Sequence, residues 1–181
     1  MMRWLRNKAR EYRTILAKDA QARQRVLLTF AGCMMIWGGI TGLVQRYSIA
    51  VDRQDTPCLP WSVFLVDHAV TRPVPGELRV FKSRNVPYYP DGKLFAKYVA
   101  GVEGDVFEVT ASDTRVRGQH WGALNPNYIR SLRTSAAELT RTEVIPPRHV
   151  VMLTAAPSSY DSRYWGFVAQ EQIVGKAIPL W

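Results

Sequence analysis

The chain has 181 residues, 47% of them hydrophobic and 22% charged, with a formal charge of +9; that is room for one domain of ordinary size and one further element. Two cysteines exclude a disulfide-stapled scaffold, and with no CxxC and no His/Cys cluster at ligand spacing, redox and metal chemistry have no support and no cofactor is expected. His68, His120 and His149 stand apart from one another and read as surface or loop residues.

The charge is concentrated at the start. Residues 1–25 carry Arg3, Arg6, Lys8, Arg10, Arg13, Lys18, Arg23 and Arg25 against only Glu11 and Asp19. Val26 to Val44 follows as nineteen uncharged residues, long enough to cross a hydrocarbon core of about 30 Å as a helix. The run lies far from the N-terminus and leads into Gln45-Arg46-Tyr47 rather than a small-residue cleavage site, so it reads as a retained signal anchor. The basic flank places segment 1–25 in the cytoplasm and residues 45–181 outside the membrane. The positive charge then reports topology and contact with membrane lipid, and a nucleic-acid partner is not expected.

Beyond the anchor the pattern is β-rich. Short β-branched and aromatic runs occur at Ser62–Val66, Leu78–Lys82, Leu94–Val99, Val106–Val109, Val150–Leu153 and Ile173–Ile178, punctuated by Pro75-Gly76, Pro90-Asp91-Gly92 and Pro146-Pro147. This spacing predicts a mainly β, folded antiparallel barrel-like domain. Between Ala111 and Glu143 the pattern fades; the stretch is either an insertion over the site or a loosely held loop, with a helical turn suggested only at Ser135–Leu139.

Three segments carry candidate chemistry. Cys58 in Thr56-Pro57-Cys58-Leu59-Pro60 is an unpaired thiol in an exported domain, because Cys33 lies inside the apolar run. Ser62 is a rival nucleophile without the proline two residues on. Lys97 opens Lys97-Tyr98-Val99-Ala100-Gly101-Val102-Glu103-Gly104-Asp105 and in a strand shares a face with Phe95 and Val99. Ser159 opens Ser159-Tyr160-Asp161-Ser162-Arg163-Tyr164-Trp165-Gly166. A lysine acts as general base only as a neutral amine, which burial favours. With a thiol the balance differs: reference pKa values of about 8.5 and about 10.4 favour transfer from cysteine to lysine by ~2.6 kcal/mol, while burial opposes the charge separation, so both proton positions stay open.

Together these segments resemble the signal peptidase I (leader peptidase) superfamily, with cysteine where that family has serine. The Thr-x-Cys-x-Pro segment and the short chain look most like the TraF-type peptidases of conjugative DNA-transfer systems. The resemblance runs from about Thr56 to Ile178. It implies Cys58 as nucleophile, Lys97 as base, Thr56 and the Cys58 backbone N–H as oxyanion donors, Ser159 as the residue that orients the lysine, and Asp161 with Arg163 as a structural ion pair. Glu103 replaces the proline of the family's Gly-x-Pro-Gly-Asp turn. Thr154-Ala155-Ala156-Pro157 stands where leader peptidases carry Gly-Asp-Asn-Arg.

The implied function is that of a single-pass peptidase of the bacterial inner membrane with a periplasmic catalytic domain, which processes and cyclises a pilin precursor, in company with other transfer-apparatus proteins. Two alternatives remain: a dedicated type I signal peptidase that only hydrolyses leader peptides, and a catalytically inactive pilus-assembly scaffold.

Overall fold

The computed structural model describes Trp4, Lys8 and residues 20–181; the basic segment 1–25 lies mostly outside the described residues. The chain divides into two units, one ending at Gln45 and one spanning Arg46–Trp181.

In the first unit, helix Ala20–Arg46 has no buried residue. It is long and apolar enough to cross a membrane, the only such helix among the described residues. At about 1.5 Å per residue it is about 40 Å long. Its two hydroxyl residues are satisfied internally, Thr29 donating to the Arg25 carbonyl and Thr41 to that of Trp37, each at 2.9 Å. That disposition suits an apolar surround, where an unpaired polar group costs several kcal/mol.

The second unit is built of antiparallel sheets. Strands β1 (Tyr47–Val51), β2 (Val63–Asp67), β3 (Leu78–Lys82), β4 (Leu94–Val102), β9 (His149–Leu153), β10 (Val168–Ala169) and β11 (Ile173–Pro179) form one sheet in the order β1-β2-β11-β3-β4-β9-β10. Strands β5 (Val106–Val109), β6 (Thr114–Val116), β7 (Gln119–His120) and β8 (Arg141–Val144) form a second, in the order β7-β6-β5-β8. Strand β4 leads directly into β5 through a turn in which Gly104 takes φ +86° and its N–H donates to the Ile145 carbonyl at 3.0 Å. The Asp105 carboxylate caps this turn by accepting from the Val102 N–H at 2.9 Å.

Alternation dictates the packing. Phe95 and Val99 of β4 enter a core with Phe81, Val150, Met152 and Ile173, whereas Ala96 and Tyr98 pack against Leu59, Phe64, Val66, Leu78 and Val80. A third cluster joins Phe107, Val109 and Val116 of the small sheet to Val151 and Leu153 of the large one, with Tyr160 and Tyr164. Close approach requires glycine where the sheets meet. A Cβ on Gly101 would lie 2.5 Å from Val116 Cγ1 and 2.8 Å from Ile145 Cδ1.

Five strands escape the period-2 reading, β1, β6, β7, β8 and β10. The stretch 111–143 is ordered: it holds β6, β7, helices Pro126–Leu132 and Ala136–Leu139, and most of β8. Both helices start conventionally, Asn125 and Ser135 accepting from backbone N–H groups two and three residues on, with Pro126 in the first turn.

Candidate active site

The segment bearing Cys58 is the tip of a hairpin. Strands β1 and β2 pair from Tyr47↔Asp67 to Val51↔Val63, and the Asp52 N–H closes the tip on the Ser62 carbonyl at 2.8 Å. Within the tip, Leu59 is buried in the core beside Phe64 and Val66, which leaves its neighbour Cys58 half-buried at the rim. Lys97 comes from the middle of β4, three strands away in sheet order but facing the same rim, and is 3% exposed. Its Nζ lies 2.9 Å from Cys58 Sγ and 2.9 Å from Ser159 Oγ. Among the described residues no carboxylate pairs with this amine.

The proton positions behind the amine follow from the donors available. Ser159 Oγ donates its one proton to Asp161 Oδ2 at 2.7 Å, so toward Lys97 it can only accept. Asp161 is in turn occupied. Arg163 grips it from Nε at 2.8 Å and Nη2 at 2.7 Å, a two-pronged geometry that fixes the plane of the carboxylate. Asp161 also caps helix Ser162–Trp165, accepting from the Arg163 N–H. Ser159 and Asp161 are fully buried and Arg163 is 1% exposed. Burial alone would pull the Arg163 guanidinium below its ordinary value; the hydrogen bonds and charge of Asp161 outweigh this and leave it raised. The remaining guanidinium protons go to the carbonyls of Thr154, Ala123 and, weakly, Trp121.

Thr154, at the end of β9, thus supports the pair through its backbone. Its carbonyl accepts from Arg163 and its N–H donates to Asp161 at 3.3 Å. The unusual Thr154–Pro157 sequence is accommodated because what the ion pair uses there is main chain.

Cys58 and Lys97 both line two cavities. A groove of about 540 Å³ runs between Ser48–Gln54 and Lys93–Lys97. A second cavity, of about 250 Å³, is walled by Thr56, Cys58, Lys97, Tyr128, Ser158 and Tyr160, among others. Thr56 is exposed and shares this cavity with Cys58. All six residues singled out in the sequence lie in one region. Ser62 does not join them; its N–H is taken by the Trp181 carbonyl at 2.6 Å. His68 joins strands instead, contacting Ser48 Oγ and the Val174 carbonyl.

Sequence reasoning missed the aromatic wall. Tyr128 donates to the Ser158 carbonyl at 2.6 Å and its ring lies 5.0 Å from that of Tyr160. Tyr160 sits inside the Ser159–Gly166 string already singled out; nothing near Tyr128 in sequence announces its place.

The family described as "Signal peptidase, peptidase S26" matches residues 22–181. The chain belongs to that family. Among curated S26 relatives, a probable signal peptidase I-2 of Synechocystis sp. is 34% identical over 83 residues, 46% of this chain and 36% of that protein. A signal peptidase I of Leptolyngbya laminosa is 31% identical over 86 residues, 48% of this chain and 40% of that protein. The chain therefore spans well under half the length of these relatives. A crystal structure of a signal peptidase I from Enterococcus faecalis V583 superposes with a TM-score of 0.39 at 24% identity, over 59% of this chain and 97% of that one.

Proposed function

We propose that this S26-family chain is a membrane-anchored peptidase in which Cys58 is the nucleophile and Lys97 the general base, and that it processes and cyclises a pilin precursor at the outer face of the bacterial inner membrane. The observation that carries the reading is the 2.9 Å approach of Lys97 Nζ to Cys58 Sγ, with the far side of the amine held by a serine whose own proton is already committed.

The steps follow from those positions. Sγ gives its proton to Nζ and attacks the scissile carbonyl carbon. The oxyanion that forms meets the Cys58 N–H and the Thr56 hydroxyl, a donor worth ~3 kcal/mol in such sites. As the C–N bond breaks, Nζ returns the proton to the departing amine, leaving an acyl-thioester on Cys58. A second amine then loses its proton to Lys97, attacks the thioester and releases Sγ, which recovers that proton. A substrate's own N-terminus held nearby supplies this amine at high effective concentration, so ring closure competes with water. Ser159 contributes by accepting one N–H of the amine and thereby aiming the remaining valence of nitrogen at sulfur.

Expression of the full chain with a precursor of the transfer pilin, followed by intact-mass measurement of the product, tests the proposal. Cys58→Ala, Lys97→Ala and Lys97→Arg are expected to abolish processing, the last because arginine does not give up its proton, while Cys33→Ala is expected to process normally. The wild-type product should weigh one water less than the linear peptide. Processing by Cys58→Ala refutes the nucleophile, and a linear product mass refutes cyclisation alone.

A further inference from the structure

Tyr89, Tyr128 and Tyr160 wall the smaller cavity that holds the reacting pair and also wall a larger one of about 430 Å³, completed by Tyr88, Ser131 and Leu132. The two spaces are neighbours that share these three rings, and the larger has no wall in common with the groove along β4. The rings are placed for contact with one another, Tyr89 to Tyr160 at 6.0 Å and Tyr128 to Tyr160 at 5.0 Å, and the larger cavity is more apolar in its walls than the smaller. The hydroxyls of Tyr88, Tyr128 and Tyr164 all have partners, but that of Tyr160, a residue 7% exposed, has none. A buried hydroxyl without a partner is uncommon and costly. Burial pushes this phenol up to about 12, so it remains a donor at any physiological pH, and in the free protein it is also shut away from competing water.

Resting on the proposed peptidase reading, we infer that this tyrosine-walled cavity is a specificity subsite that takes an aromatic side chain of the peptide substrate, one to three residues from the scissile bond on the side away from the β4 groove. Extended peptide advances about 3.3 Å per residue, and the cavity shares three walls with the one that holds the reacting pair without itself including either member. An aromatic occupant can meet the tyrosines offset or edge-on, the favoured geometries. A cationic occupant is disfavoured because Lys93 Nζ already lies 4.3 Å from the Tyr89 ring centroid and Arg130 and Arg133 flank Ser131 and Leu132 in sequence.

The test is digestion of a proteome-derived peptide library by the detergent-solubilised full chain, with cut positions read by mass spectrometry. Wild type should show phenylalanine, tyrosine and tryptophan enriched on the order of five-fold at a single position near the cut. Leu132→Trp, which fills the cavity from a half-buried helix position, and Tyr88→Ala, which removes an exposed wall, should each lower that enrichment below about two-fold while other positions keep their profile. Cleavage with no aromatic preference in wild type, with a preference for lysine or arginine there, or with an enrichment untouched by both variants overturns the subsite and leaves the peptidase reading standing. No cleavage by wild type overturns the peptidase reading itself.

Discussion

Replacing Arg163 by methionine would leave a chain of similar length and no charge beside a carboxylate with no access to solvent. The wild-type guanidinium makes two hydrogen bonds to Asp161, at 2.8 and 2.7 Å, one to the Thr154 carbonyl at 3.0 Å and one to that of Ala123 at 3.1 Å. Removing one partner of a buried pair costs ~3–5 kcal/mol, because the surviving charge stays desolvated. Asp161 would still accept from Ser159 Oγ and from backbone N–H groups, which argues for the lower end, about 3 kcal/mol. For a unit of this size that corresponds to roughly 10 °C in thermal midpoint, readable by circular dichroism on the detergent-solubilised chain. Adding Asp161→Asn removes the stranded charge, so the double variant should be less destabilised than the sum of the two singles by about 2 kcal/mol. A midpoint within about 2 °C of wild type, or strict additivity, would refute the view that this pair holds the loop behind Lys97.

Gly101→Ala should lower the thermal midpoint by an amount equivalent to about 1–3 kcal/mol, because its Cβ would press on the buried side chains of Val116 and Ile145; an unchanged midpoint would mean the two sheets part without strain. Glu77 is held below the ordinary carboxylate value of 4.5, chiefly by its hydrogen bond from Lys176 and then by Arg79. Its folded form thus binds a proton less readily than its unfolded form, so its contribution is complete above the unfolded pKa and fades as pH falls through the lower folded value. Between about pH 5 and about pH 3 the wild-type midpoint should drop more steeply than that of Glu77→Gln; parallel curves would remove Glu77 from the acid response.

What could be read from the sequence was whatever repeats locally. Leu78–Lys82 and Val106–Val109 are dense in β-branched and aromatic residues, and their strand limits match the structure residue for residue. The same rule failed for Arg141–Val144, exposed along most of its length, and for Val168–Ala169, too short to show a period. At the site, the residues within short motifs were legible because the turn or loop that holds them is encoded beside them. In the stretch after Ala111 only the turn at Ser135–Leu139, now helix Ala136–Leu139, was legible; helix Pro126–Leu132 was not, since it buries no residue and is held by Tyr128 donating to the Ser158 carbonyl and by Tyr164 accepting from the Asn125 N–H. A helix stabilised by two long-range tyrosine contacts leaves almost no periodic trace.

Strand β4 keeps two different counts of its own residues. Against β3 its pairing is continuous from Leu94 to Tyr98, with Lys97 opposite Arg79. Against β9 it slips between Val99 and Gly101, so that Ala100 is the extra residue of a bulge. The register with β3 that decides which face Lys97 takes therefore lies before the slip, and the part of the strand that carries the chain into the small sheet lies after it. The bulge works like a keyway between two shafts: losing one residue at Ala100 would straighten the strand and turn the small sheet while leaving Lys97 in phase with β3. Losing one residue at Ala96 would carry the side chains on one side of the deletion to the opposite face, and no repacking elsewhere would bring amine and thiol back together. A change of length within Leu94–Tyr98 is thus the one that removes Lys97 from the thiol's face, whereas a change at the bulge falls first on how the two sheets meet.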